Sequence, residues 1–228
     1  MCWRVVLFVL LFPISLQAQK GISLGFGFNN FKTLSEFSDY TTRNPLGVSF
    51  LASKDLKNKR FQLGFELGMG LYSGKRYFYE TVAEGYPGNY VNIYEENGFV
   101  LYDVYLRYKF VKGKTLMPFV EAKAGASTYF SVIRSMQVSE VYEDDSYVHD
   151  TALNAGLGLG TYVDIGKLFT GKDWVKKTLL NISGNYLLGS QVTYRNAVAY
   201  EVVDTFEAGF RESKTNTFQY HVGLVLAF

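Results

Sequence analysis

The stretch TFQYHVGLVLAF, Thr217 to Phe228, alternates between large apolar side chains and side chains that are mostly small or polar. Successive residues of a strand point to opposite faces, so the pattern predicts a strand with one apolar face. In a soluble sandwich that face would pack against a second sheet. In a membrane barrel it would contact lipid, and the other face would line the lumen.

Seven earlier segments repeat this pattern, and none of the chain shows a long stretch with helical period. They are GISLGFGFNN (21–30), PLGVSFLAS (45–53), RFQLGFELGMGLY (60–72), FVLYDVYLRYKF (99–110), PFVEAKAGASTYF (118–130), TALNAGLGLGTYVDI (151–165) and TLLNISGNYLL (178–188). Each matches the roughly 9–11 residues with which a tilted strand crosses a membrane. A sheet in lipid must close to satisfy its backbone groups. The predicted fold is therefore all-β: an eight-stranded antiparallel up-and-down transmembrane β-barrel.

The connections between these strands alternate in length and in charge. Three are short and basic (54–60, 111–115 and 166–177) and together carry a formal charge of +8. Four are long and mostly acidic (31–44, 73–98, 131–150 and 189–216) and together carry −7. Short periplasmic turns and long outer loops are typical of outer-membrane barrels, and lysines near the inner-leaflet phosphates would be favoured.

The N-terminal segment has the layout of a secretory signal peptide. Arg4 precedes the apolar run VVLFVLLFPISL, and LQA supplies a cleavage site after Ala18. The sequence therefore predicts a cleaved signal peptide over 1–18 and a barrel domain over 19–228. Cys2 is the only cysteine, so the mature chain is expected to have no disulfide or cysteine metal site. The net charge of +2 gives no indication of nucleic-acid binding.

The signal peptide, the eight amphipathic strands, MPFVEAKAGAS at 117–127 and the terminal YHVGLVLAF resemble the small outer-membrane β-barrel proteins, the porin-family group that includes OmpA- and OmpX-like barrels. The resemblance covers about Lys20 to Phe228 and implies a location in the cell outer membrane. The family's barrel-assembly machinery reads a terminal aromatic strand. The residues that fit this assembly signal are Tyr220, Val222, Leu224, Leu226 and Phe228. We expect the chain to depart from the OmpA pattern in having no periplasmic peptidoglycan-binding domain.

Charged residues on the predicted lumen faces form a candidate network of nearly balanced charge. Its members are Glu66, Asp103, Arg107, Glu121, Lys123, Asp164 and His221. A turn centred near Lys114 would place Arg107 opposite Glu121 and bring Asp103 diagonal to Lys123. Buried charges need such partners, and eight strands leave little room for water. We expect a salt-bridged, plugged lumen; the alternative is a narrow transport pore.

The sequence also contains two weaker patterns. His221 would neighbour Ser23 and Ser183 in a closed barrel, which raises the alternative of an outer-membrane lipid hydrolase. However, His221 points inward near mid-strand, and we predict no catalytic residues. In EVYEDDSYVHD, residues 140–150, the candidate metal ligands are Asp144, Asp145 and His149. Their spacing matches no defined calcium loop, so a solvated acidic tip is favoured, and neither metal nor cofactor is predicted.

Residues 72–98 and 189–215 are rich in Tyr, Phe, Val and Thr, which predicts strands that continue beyond the membrane. A protruding sheet can pair with another chain, and tyrosine-rich surfaces suit recognition. The leading hypothesis is a non-enzymatic outer-membrane barrel that acts through these loops in structural support, adhesion or a complex. Its expected partners are the lipid bilayer, the assembly machinery and another surface protein.

Overall fold

The computed structural model describes residues 21–39, 41, 43–81, 89–112, 114–137, 143–166, 177–195 and 210–228. The predicted signal peptide, residues 1–18, lies outside the described residues. The elements are β1 (Ile22–Thr33), α1 (Glu36–Asp39), β2 (Leu46–Asp55), β3 (Phe61–Thr81), β4 (Asn89–Lys109), β5 (Leu116–Gln137), β6 (Glu143–Asp164), β7 (Lys177–Gly189), β8 (Gln191–Arg195), β9 (Phe210–Lys214) and β10 (Thr217–Ala227).

Within the described residues, eight strands close into an antiparallel barrel in the order β1-β10-β7-β6-β5-β4-β3-β2. The two ends of the sheet meet where β1 pairs with β10, from Ser23 opposite Ala227 to Thr33 opposite Thr217. Residues at the seam extend this pairing, because the Phe228 N–H donates to Ile22 O at 2.9 Å and Gly21 N–H donates to Phe228 O at 3.1 Å. The predicted fold class is confirmed.

No helix in the described part of the chain has the length and apolar character needed to cross a membrane.

Large apolar side chains form a belt around the outside of the barrel. Leu157 is 72% exposed, Leu153 69% and Phe28 67%, and alternate residues on the same strands face inward. The lumen face instead contains buried polar side chains, together with glycines. A Cβ on Gly158 would overlap Asn185 Oδ1, so glycine makes room for the larger side chain of the next strand. This inside-out distribution is that of a barrel surrounded by lipid.

Four adjacent strands are much longer than a membrane crossing requires. β3 and β4 have 21 residues each, and β5 and β6 have 22 each. The predicted continuation of the strands in 72–98 is confirmed, although residues 82–88 lie outside the described part. A bulge between Leu71 and Ser73 marks the point where β3 leaves the apolar belt. Residues 131–150 were expected to be a loop, but β5 reaches Gln137 and β6 begins at Glu143.

The segment 189–215 differs from the prediction. β7 and β10 do not continue outward; the chain turns at Ser190, and β8 pairs with β9 in a separate two-stranded sheet among the described residues. The Thr215 N–H donates to Ser190 O at 3.4 Å and closes the base of this hairpin. Val192 and Tyr194 of β8 are buried. The apolar residues of this segment therefore pack toward the barrel, where they cover its outer mouth. Residues 196–209 lie outside the described residues.

Candidate functional site

A buried ion-pair network crosses the middle of the lumen. Arg107 on β4 lies opposite Glu121 on β5, the register that the short turn predicted. The Arg107 Nε and Nη2 groups donate to Glu121 Oε2 at 2.9 and 2.6 Å. Lys123 Nζ donates to Glu66 and, at 2.9 Å, to Gln219 Oε1. Gln219 Nε2 donates to Glu66 Oε1 at 2.8 Å, so one amide joins the carboxylate to the ammonium.

Two of the predicted network residues behave differently. Asp103 is fully buried, but Lys123 turns to Glu66, and the Asp103 carboxylate oxygens have no hydrogen-bond partner among the described residues. The predicted diagonal placement is present, since Asp103 lies opposite Gly125 and Tyr105 opposite Lys123, but no hydrogen bond joins the two side chains. Asp164 ends β6 at the inner rim, where its Oδ2 lies 3.5 Å from Lys177 Nζ in a half-exposed pair. It does not take part in the buried network, because the strand places it outside the lumen.

His221 is buried against β1 and β2. Its Nδ1 lies 2.9 Å from Asn29 Oδ1 and 3.3 Å from Ser49 Oγ. Ser183 is its register partner on β7, as predicted. The expected neighbour Ser23 is wrong, because it lies opposite Ala227 near the inner end of β1, and Asn29 takes the position opposite His221. A serine–histidine pair of a hydrolase needs the serine on one ring nitrogen and the orienting group on the other. Here both contacts fall on Nδ1, which does not match that arrangement.

Arg107 also lies among aromatic rings near the inner end of the lumen. Its guanidinium carbon is 4.1 Å from the Phe119 ring centroid, 4.6 Å from that of Tyr105 and 5.1 Å from that of Tyr162. Arg107 Nη1 donates to the Tyr162 hydroxyl, which in turn donates to Gln62 Oε1 at 3.0 Å. These rings belong to a buried cluster, called here the inner cluster: Leu51, Tyr105, Met117, Phe119, Tyr162, Leu179 and Val225.

A second buried cluster occupies the outer mouth and is called here the outer cluster. Its members are Phe31, Phe37, Tyr72, Phe99, Leu101, Tyr129, Ala152, Val192 and Tyr194. Phe37, on the four-residue helix α1, is fully buried and meets the rings of Tyr72, Tyr129 and Tyr194 edge-on at 5.8, 5.6 and 4.9 Å. The first outer loop and the β8–β9 hairpin thus meet over the lumen.

The outer cluster has little signal in the sequence, since Phe37 stands alone in a mostly polar loop. Asn29 and Ser49 were likewise not recognised as partners of His221. Both lie on predicted lumen faces, as His221 does, and Asn29 is also the register partner of His221 across the β1–β10 seam. The contact of His221 with Ser49 joins two strands that do not pair, β10 and β2, and strand alternation does not specify it.

The candidate metal ligands are not gathered into a site that the structure describes. Asp144 and Asp145 lie in β6, in register with Ser135 and Arg134, and their side chains are outside the described residues. His149 is an exposed residue of the same strand. Among the described residues, no group of three or more potential ligands could hold a metal ion.

The residues of the predicted assembly signal lie along the lipid face of β10. Tyr220, Val222 and Leu224 are each about half exposed, at 51%, 48% and 48%. Leu226 and Phe228 are intermediate in exposure at the inner end of the seam. The outer segments of β3 to β6 stand above the belt formed by these and similar residues.

Comparison with known proteins agrees with this fold. No family model and no curated protein sequence matches the chain. Among solved structures, the neisserial surface protein NspA aligns with a TM-score of 0.53 at 10% identity, over 92% of this chain and 98% of that one. Ail, the attachment invasion locus protein of Yersinia pestis, aligns with a TM-score of 0.43 at 11% identity, over 92% and 100%. The chain has the fold of the small eight-stranded outer-membrane β-barrel proteins, as its sequence predicted.

Proposed function

We propose that the protein is an integral, non-enzymatic barrel of the cell outer membrane with a closed lumen, and that it acts by binding another surface protein through its protruding sheet. The apolar belt and the shared fold support the location. The absence of a serine–histidine arrangement around His221, within the described residues, supports a role other than lipid hydrolysis.

Three successive layers of side chains support a closed lumen. The outer cluster lies at one mouth, the network of Glu66, Arg107, Glu121 and Lys123 in the middle, and the inner cluster below. An eight-stranded barrel has room for side chains but not for a wide water channel. Planar-bilayer recordings of the folded protein should show no stable large conductance. Well-resolved, porin-like steps would overturn the closed lumen.

The proposal of partner binding rests on the outer half of β3, which has one edge that no described strand covers. β2 pairs with β3 only as far as Leu71, whereas β3 continues to Thr81. In the described part of the chain, the outer half of β3 thus pairs with β4 alone. An exposed strand edge presents unpaired N–H and C=O groups that can accept a strand of another protein. The acidic character of the outer loops adds selectivity for a partner with a basic surface.

A photo-crosslinking residue at Gly74 tests this surface directly. A Cβ at Gly74 would meet no atom within 4 Å, so the substitution should not disturb the fold. The same residue at Leu56, an exposed position in the inner turn, is the matched control. We expect cross-linking of intact cells to give a discrete protein adduct at Gly74 and not at Leu56. Adducts at neither position, or equal adducts at both, would contradict binding at the β3 edge.

A further inference from the structure

The inner mouth of the barrel contains a cavity of about 620 Å³ lined by lysines. Lys57 and Lys59 come from the β2–β3 turn, Lys109 from the end of β4, Lys112 from the β4–β5 turn and Lys177 from the start of β7. Four separate parts of the chain thus contribute lysine side chains to this one cavity. Its lining also includes Gln62, Met117, Tyr162 and Leu179, side chains of the inner cluster or directly bonded to it.

The acidic residues near this cavity neutralise only part of its charge. Lys109 Nζ contacts Asp55 Oδ1 at 2.6 Å, and Lys177 Nζ lies 3.5 Å from Asp164 Oδ2. Among the described residues, Lys57, Lys59 and Lys112 have no acidic group within ion-pair distance. Arg107, which lies beyond Tyr162, is already neutralised by Glu121. The lysines of the cavity therefore outnumber its acidic groups.

Lys59 occupies an unusual position in the β2–β3 turn. The Lys59 N–H donates to Leu56 O at 2.7 Å, and Asn58 Oδ1 accepts from the Arg60 and Phe61 N–H groups at 3.0 and 3.2 Å. The turn holds Lys59 at φ 55°, in the left-handed region that favours glycine. The turn would be less strained with glycine at this position.

We propose that this lysine-lined cavity is an anion-binding site that takes a phosphate-bearing group with several negative charges. Ammonium groups bind phosphate oxygens as mobile point charges, each with three donors. The apolar walls below the rim concentrate the positive electrostatic potential inside the cavity. The phosphate is carried either by the head group of an inner-leaflet lipid or by a soluble phosphate compound in the periplasm. The site is independent of the outer surface proposed above.

Tripolyphosphate is a suitable probe, titrated by calorimetry into the full chain folded in a neutral detergent that contains no phosphate. The test variant is Lys57→Gln/Lys59→Gly/Lys112→Gln, in which glycine suits the φ of residue 59. The control variant is Lys32→Gln/Arg43→Gln/Lys214→Gln, which removes three exposed cations remote from the cavity. We expect saturable binding that weakens with added salt, a loss of at least about tenfold in affinity in the test variant, and little change in the control.

A second arm identifies the source of the phosphate. The titration is repeated in nanodiscs of phosphatidylcholine with and without phosphatidylglycerol. Competition by phosphatidylglycerol supports a lipid head group, and unchanged affinity supports a soluble ligand. The proposal is overturned if the wild-type chain shows no saturable binding in detergent, or if the control variant loses as much affinity as the test variant. Circular dichroism verifies that both variants remain folded.

Discussion

Replacing Arg107 with Met should destabilise the barrel more than removing any exposed charge. Arg107 and Glu121 are 1% and 3% exposed, and two hydrogen bonds join them. Removing one partner of a buried pair leaves an uncompensated charge and typically costs about 3–5 kcal/mol. Lys123 Nζ, 3.9 Å from Glu121 Oε1, offsets only part of this. The loss of the ring contacts to Phe119 and Tyr105 acts in the same direction.

The double variant Arg107→Met/Glu121→Gln separates the charge from the packing. Because it leaves no unpaired charge at either position, we expect it to recover at least half of the lost free energy of unfolding. Lys177→Gln, at the half-exposed pair with Asp164, is the matched control and should cost at most about 1 kcal/mol. Urea unfolding in neutral detergent micelles, followed by circular dichroism, measures all three.

The reasoning about the buried network is refuted by either of two results. In the first, Arg107→Met unfolds within about 1 kcal/mol of the wild type, which would mean that water reaches Glu121. In the second, the double variant is as unstable as the single one. The lost free energy would then come from packing of the arginine side chain against the rings, not from its charge.

Three further predictions follow from the wall, the outer mouth and the seam. Gly125→Ala should destabilise the folded barrel by about 1–3 kcal/mol, since the added Cβ would overlap Tyr102 O. Gly74→Ala, with open space around the added Cβ, should be neutral or stabilising in the same urea titration. Phe37→Ala should speed hydrogen exchange in α1 and β8 and leave the global unfolding midpoint nearly unchanged, because α1 and the β8–β9 hairpin are not part of the barrel sheet and can open locally; an equal change throughout the barrel would contradict this. Deleting Phe228 removes two backbone hydrogen bonds at the seam and should lower the yield of folded protein in the membrane, while Phe228→Ala keeps them. A loss with both variants would indicate that the aromatic side chain itself is read, and normal yield of the deletion would contradict both roles.

The wall of the barrel was predictable because lipid imposes a simple rule on it. Each strand must alternate, so the eight segments and the side that each residue faces follow from apolar periodicity. The pairing of Arg107 with Glu121 was predictable for a related reason. They lie on neighbouring strands joined by a short turn, and the length of the turn determines the register.

Contacts across the lumen were not predictable in this way. Lys123 and Glu66 lie on β5 and β3, two strands that do not pair. His221 and Ser49 lie on β10 and β2, which do not pair either. Whether such side chains meet depends on the diameter and tilt of the barrel and on which positions are glycine. Asp103 lies diagonal to Lys123 as predicted, but the lysine reaches across the barrel to Glu66, a contact that the order of the strands does not indicate.

The structure of the outer mouth was the least predictable part of the fold, for a physical reason. Above the lipid no rule of alternation applies, so the length of β5 and β6 and the inward fold of β8 and β9 depend on local packing. Phe37 is buried because Tyr194, more than 150 residues later in the chain, arrives from the hairpin to meet it. Each ring covers part of the other, and Phe37 also contacts the Tyr72 and Tyr129 rings of β3 and β5. The outer mouth is thus covered by two loops that stabilise each other, while the wall beneath them is constrained by the membrane.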